Sequence, residues 1–448
     1  MKKVISIILV FVLCLSMSSC KTILNLFSKN KDDNYNYKSH TVATAAAKIE
    51  VSYSDHRREG YQEFLDKLDR FAAKLSHEVY SDAENSDNFV ISPISVYMAL
   101  ALATECADGE TRNEILNAVG VTYDEVKGFT KYLYAFSNRV TYSDRTKEQI
   151  SSLEQLSNSI WADDGTKLKD SGINSLANDY NCDLFAVDYG SSEANDAINA
   201  YIREKTHGLI DGGVDLSPQT LITLINTFYL KDIWNPYGNN IPFTEQYYDF
   251  INANGNTTNT KLLRGYYNNG RAYEGNGYNS FYTKTSHGYN INFIVPTEGH
   301  SVDEVFTADN IYNVINIKNY GYVDDENRLF HHTRVFFPEY EASFDGDIAD
   351  TLREDFKVEK LFSLGECDFS NITDQTVACD GVIHKCNLKV DKKGIEGAAV
   401  TYMPNATAAG PGEYEDAYHD FVVDRAFGFV ITDSYGAVLF CGVINGIE

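Results

Sequence analysis

The chain is short of proline and of positive charge. Eight prolines in 448 residues argue against a disordered, proline-rich polymer. Lysine and arginine number 38 against 64 aspartates and glutamates, a formal net charge of −26. No basic surface is available for phosphates, which excludes a nucleic-acid partner. No C-x-x-C pair or histidine cluster suggests zinc, and His331-His332 would point to opposite faces of a strand. No metal or cofactor is implied. A G-x-S-x-G elbow is also missing, so a surface hydrolase is unsupported. What is present is 43% hydrophobic content with 31 Tyr and 25 Phe, enough for one large core or two to three ordinary ones.

The first residues read as an export signal. Lys2 and Lys3 precede an apolar run from Val4 to Leu15, too short to span a membrane comfortably. Met17-Ser18-Ser19-Cys20 resembles a lipobox, which implies cleavage before Cys20 and acylation of its thiol, with Met17 in place of the usual Leu. The alternative is an ordinary secretory signal. The expected division is residues 1–19 as lipoprotein signal peptide, 20–58 as lipidated cysteine and flexible tether, and 59–448 as one domain without linker or repeat. The protein is expected to be exported, lipid-anchored to a bacterial envelope and surface-exposed. Of the other cysteines, Cys106, Cys182, Cys367, Cys379, Cys386 and Cys441 are scattered; disulfides are possible but their connectivity is open, and several sit in apolar strands as small core residues.

Helical spacing of Phe64, Leu68, Phe71, Ala72, Leu75 and Val79 predicts an amphipathic helix over 61–80. Ser92 is a suitable N-cap and Pro93 suits the first helical position. The following run, Ile94 to Ala103, is apolar on all sides and therefore belongs inside the protein. Segments 168–180 and 194–207 also read as helices. Leu221–Tyr229 reads as a buried strand. Cys386, Leu388 and Val390 alternate with polar residues as a half-buried strand does. Phe427–Thr432 and Ala437–Val443 flank a turn at Asp433-Ser434-Tyr435-Gly436.

These blocks resemble the serpin family. Asn88-Phe89-Val90-Ile91-Ser92-Pro93-Ile94-Ser95 with Gly109-Glu110-Thr111 is similar to the pattern opening that family's central helix. Leu224–Trp234 resembles its Asn-Ala-x-Tyr-Phe-Lys-Gly-x-Trp signature. Ile198-Asn199, Thr206-His207-Gly208, His384-Lys385, Gly394–Thr401 and Phe427–Gly442 follow in the family's order. Ala426 stands where a Pro is usual and Cys441 where a Met is; the Asn-, Gly- and Tyr-rich stretch 250–300 matches weakly. The resemblance implies an α+β serpin fold, with helices packed on three β-sheets, a large central sheet and an exposed reactive-centre loop. It implies a suicide inhibitor rather than an enzyme. A target endopeptidase cuts the loop and forms an acyl-enzyme, and the loop inserts as a strand. Serpin loop insertion is itself an established case of strand addition to a sheet and of released strain.

The same resemblance assigns roles. The hinge is Lys392, Lys393, Gly394, Ile395, Glu396, Gly397, Ala398, Ala399, Val400 and Thr401. Within it Ile395, Gly397, Ala399 and Thr401 share one face, uncharged and small, as insertion into a core requires. Gly397 weakens a strand and Pro404 would disturb its far end. Ser92, Ser95, Asn226 and His384 match the polar cluster beneath the strands that part, the shutter, as a hydroxyl–imidazole–amide network. Trp234, Glu339 and Lys392 match the breach where the sheet first opens. Glu339 and Lys392 are expected to form an ion pair with the family's signs exchanged. Counting from Gly394 puts the cut at Ala408–Ala409; counting back from Phe427 puts it at Glu415. The loop is therefore longer than usual, and the hinge-side count is adopted. Small residues there suit elastase-, subtilisin- or papain-like proteases. A monomer is expected. The alternative is a non-inhibitory serpin serving as protease substrate or surface binding module.

Overall fold

Every residue of Pro93–Cys106 is buried, the consequence of a segment with no polar face. The computed structural model that places it describes residues 35–45, 54–83, 87–142, 150–234, 241–319, 327–396 and 418–447. In chain order the helices are α1 (Tyr61–Asp82), α2 (Pro93–Cys106), α3 (Gly109–Val119), α4 (Tyr123–Phe136), α5 (Asp170–Asp179), α6 (Ser192–Lys205), α7 (Val302–Val305), α8 (Ala308–Asn319) and α9 (Ala349–Glu354). The strands are β1 (Thr41–Ala43), β2 (Phe89–Ile91), β3 (Asn138–Tyr142), β4 (Ile150–Asp163), β5 (Cys182–Val187) and β6 (Ile222–Ile233). Next come β7 (Tyr248–Ile251), β8 (Thr257–Thr260), β9 (Leu263–Glu274), β10 (Tyr278–Lys284), β11 (Asn290–Pro296) and β12 (Asn327–Phe337). The last are β13 (Tyr340–Asp347), β14 (Ile383–Asp391), β15 (Gly394–Glu396), β16 (Tyr418–Val422), β17 (Phe427–Thr432) and β18 (Val438–Ile444).

Hydrogen bonding links the strands in the order β1-β5-β4-β6-β15-β14-β13-β2-β18-β17-β11-β10-β9-β12-β16. Two weak joints divide this path into three sheets. Between β13 and β2 only Ser343 and Phe89 pair. Strand β9 serves two sheets, pairing with β10 at one end and with β12 along most of its length. The largest sheet runs from β1 to β13. Helix α2 lies across the main core between this sheet and β17–β18. Helix α6 covers the outer face through a second aromatic core of Trp161, Phe185, Tyr201 and Ile225.

One segment departs from the sequence expectation. Residues 35–45, assigned to the tether, lie against the large sheet. β1 pairs antiparallel with the edge strand β5, and Tyr37, 5% exposed, is wedged against Phe185 and Tyr201 with ring centroids 5.7 and 5.4 Å away. Two tyrosines, Tyr35 and Tyr37, in a polar stretch make too short a pattern to read as an element, yet burying one aromatic ring is worth about 2–3 kcal/mol by area, enough to hold a three-residue strand.

Candidate functional site

Strands β6 and β14 run parallel, and among the described residues no ladder joins them directly. At the top, β15 lies between them: Gly394, Ile395 and Glu396 pair with Ile233, Asp232 and Lys231 of β6 on one side. On the other side they pair with Asp391, Val390 and Lys389 of β14. At the foot, a single bridge joins Ile222 to Cys379. The seam between β6 and β14 is therefore one strand wide at its top.

Ile395 points inward and is fully buried, as its place on the small, uncharged face predicts. Glu396 faces the other way, where its carboxylate takes a 2.7 Å ion pair from Lys231 Nζ with both side chains mostly shielded. Gly394 fits because it has no side chain; a Cβ there would lie 1.9 Å from the main-chain oxygen of Asp232. Gly397, Ala398, Ala399, Val400 and Thr401 of the hinge, the Ala408–Ala409 bond and Cys20 lie outside the described residues.

At the head of the seam Trp234 is buried. Its indole N–H donates to Asp391 O at 2.6 Å, and its ring meets Phe337 edge-on at 5.5 Å. The expected Glu339–Lys392 ion pair is not what the structure contains. Glu339 Oε1 accepts from the main-chain N–H of Lys392 at 2.9 Å, while the Lys392 ammonium sits 5.9 Å from the Phe243 ring centroid. The turn from β14 into β15 presents its amide to the carboxylate, so the side chain of Lys392 is not needed.

Beneath the seam Ser92, Ser95, Asn226 and His384, which the resemblance assigns to the shutter, are brought together, but as two contacts rather than one network. The Ser95 hydroxyl donates to the Asn226 side-chain oxygen on β6. The main-chain N–H of Ser92 donates to His384 Nε2 on β14 at 3.1 Å. The first turn of α2 thus clasps one strand from each side of the seam. Ser92 is at the N-cap position but makes no side-chain cap, and its hydroxyl finds no partner among the described residues. Burial alone lowers the His384 pKa to about 4, consistent with a neutral ring whose Nε2 accepts.

Sequence reasoning missed Asn158 of β4. Its Oδ1 accepts from Asn226 Nδ2 at 2.5 Å and its own amide donates to Tyr180 O at 2.8 Å, extending the β6 half of the clasp. It missed a second buried group as well. Arg139 on β3 reaches Glu154 Oε2 of β4 at 2.7 Å and Asp433, in the turn after β17, at 3.7 Å. The Tyr289 hydroxyl also donates to Glu154 at 2.7 Å. Burial outweighs Arg139 and pushes the Glu154 pKa up to about 7. Asp232, the cross-strand partner of Ile395 on β6, accepts from His287 Nδ1 at 2.5 Å. The only sequence signal for these would have been charged residues inside otherwise apolar strands.

A family model described as "Serpin (serine protease inhibitor)" matches residues 66–446. Among curated proteins the chain is 25% identical over 422 residues to Iripin-1 of Ixodes ricinus, covering 87% of this chain and 96% of that one. It is 24% identical to alpha-1-antiproteinase F of Cavia porcellus, covering 84% and 90%. The solved structure of a thermophilic serpin, tengpin, in its native state superposes with a TM-score of 0.69 at 20% identity, covering 92% of this chain and 99% of that one; this likeness concerns the fold.

Proposed function

The chain belongs to the serpin family, and from that premise we propose that it is a suicide inhibitor of serine or cysteine endopeptidases. The observation that carries the reading is the seat of the hinge. Three residues already occupy a strand-wide seam between β6 and β14, with Ile395 buried and no charge turned inward. Continuing the ladder down the seam needs only alternating small residues, which Gly397, Ala399 and Thr401 supply. Each residue added converts unpaired strand edge into ladder hydrogen bonds, which favours insertion once cleavage frees the loop. The bait bond proposed is Ala408–Ala409, and the target an elastase-, subtilisin- or papain-like enzyme. We also place the protein, as a monomer, on the outside of a bacterial envelope through an acylated Cys20.

The deciding experiment incubates the protein lacking residues 1–19 with elastase, subtilisin, chymotrypsin, trypsin and papain, followed by denaturing gels and mass spectrometry. A covalent complex at the combined mass, with a released fragment beginning at Ala409, is expected. Clean cleavage that leaves the protease fully active would overturn inhibition and favour a substrate-type serpin.

A further inference from the structure

Three cysteines with free thiols lie on the segments that meet near the foot of the seam. Cys106 ends α2, and Cys367 and Cys379 flank the turn-rich segment leading into β14. The Cys367 N–H donates to Ser363 O at 3.0 Å and the Cys379 N–H to Leu361 O at 3.0 Å, so one short turn receives both. The Cys379 thiol donates to Gly381 O at 3.2 Å. Cys106 joins the group through its carbonyl, which accepts from Asn371 N–H at 3.3 Å. Cys379 is itself the residue bridged to Ile222 of β6. Of the three, Cys106 and Cys379 are buried and Cys367 alone is partly exposed.

We propose that Cys367 and Cys379 form a disulfide by exchange with an external disulfide, closing a covalent staple beneath the foot of the β6–β14 seam. Exposure makes Cys367 the entry point. Its thiol gives a proton to solvent and the thiolate attacks one sulfur of a small or protein disulfide. The other sulfur leaves as a thiolate and is protonated. Cys379, losing its proton in turn, attacks the Cys367 sulfur of the mixed disulfide and expels the second thiol. Two protein thiols are oxidised and one external disulfide is reduced to two thiols. Cys379 is the resolving partner because its main chain docks on the same short turn, at Leu361 O, that receives the Cys367 amide at Ser363 O. Burial raises both thiol pKa values to about 12, so exchange is slow near neutrality and quickens with alkali. The pairing does not depend on the inhibitory reading.

The test uses the chain lacking residues 1–19 with Cys20→Ser, treated with oxidised glutathione at alkaline pH, quenched in acid, unfolded and alkylated. Expected are the loss of two hydrogens, a cross-linked peptide joining Cys367 to Cys379, and a thermal midpoint higher by about 5 °C from closure of a short loop. All three effects should vanish in Cys367→Ser and persist in Cys106→Ala. Fully alkylated thiols, a cross-link to Cys106, or glutathione left on Cys367 would each overturn the proposal, and peptide mapping reads these without any variant.

Discussion

The carboxylate of Glu339 holds the main-chain N–H of Lys392 at 2.9 Å, not the ammonium group that sequence comparison pairs with it. An amide is present whatever residue occupies position 392. Lys392→Glu is therefore expected to leave the thermal midpoint nearly unchanged and to form no polymers. Glu339→Ala removes the acceptor and is expected to cost about 1 kcal/mol, reduced from the usual charged-bond value by exposure. Melting curves and native gels of the two variants decide it. A Lys392→Glu protein that polymerises on mild warming would restore the ion-pair reading.

Gly394 is the tightest fit in the seam, with the Asp232 carbonyl where a Cβ would stand. Gly394→Ala cannot keep β15 between β6 and β14 without moving backbone, and overpacking of this kind costs about 1–3 kcal/mol. The hinge is expected to leave the seam. Trp234 reports this directly, because its N–H bonds to Lys393 O and its indole to Asp391 O, while Trp161 is enclosed in the separate core under α6. A red-shifted tryptophan emission with unchanged far-ultraviolet dichroism is the expected result; identical emission would mean that β15 stays in place.

Much of this framework was legible in the sequence because it is local. Pro93–Cys106 announces a buried helix by lacking a polar face. Strand β14 announces itself by Cys386, Leu388 and Val390 in alternation, all three of them buried. Ser95 and Asn226 were found through motifs 131 residues apart that the family resemblance supplied. What stayed hidden depends on chance partners from distant elements. Arg139 and Asp433 meet across 294 residues, and Lys231 and Glu396 across 165; neither pair leaves a periodic pattern. The Lys392 error had a different origin. Residue types suggested opposite charges, whereas the turn geometry offered a nearer donor in the backbone.

The two halves of the clasp make a test of cooperativity. Ser95→Ala leaves the Asn226 side-chain oxygen without its hydroxyl donor, at a cost of about 1–3 kcal/mol. His384→Asn disturbs the Ser92 amide contact on the β14 side, together with the packing of the imidazole on the Phe344 ring, and leaves the Ser95–Asn226 half untouched. With the halves held by separate hydrogen bonds, the double variant should equal the sum of the singles within about 0.5 kcal/mol. Urea midpoints of the four proteins measure this. A coupling above about 1 kcal/mol would mean that the four residues act as the single network that sequence comparison implies.

Stability should respond to pH through two buried groups of opposite sign. Glu154 has its folded pKa raised to about 7 by burial. Between its ordinary value near 4.5 and about 7 the folded protein keeps a proton that the unfolded chain releases. Its contribution is therefore complete at acid pH and is lost as pH rises through 7. Asp433, which shares Arg139, is also raised by burial and acts in the same direction. His384 is lowered to about 4. Between about 4 and 6.5 the unfolded chain binds a proton that the folded protein refuses, so its contribution is complete above 6.5 and is lost as pH falls through 4. Each full proton is worth about 1.4 kcal/mol per pH unit, and from pH 4.5 to 6.5 the two slopes oppose each other. Glu154→Gln removes the acid-favouring group, so its thermal midpoint at pH 5 should fall relative to that at pH 7. His384→Asn removes the group that resists acid, and its midpoint at pH 5 should rise relative to that at pH 7. If both variants keep the wild-type difference between pH 5 and pH 7, neither group titrates in this window and the assignment of opposing slopes is wrong.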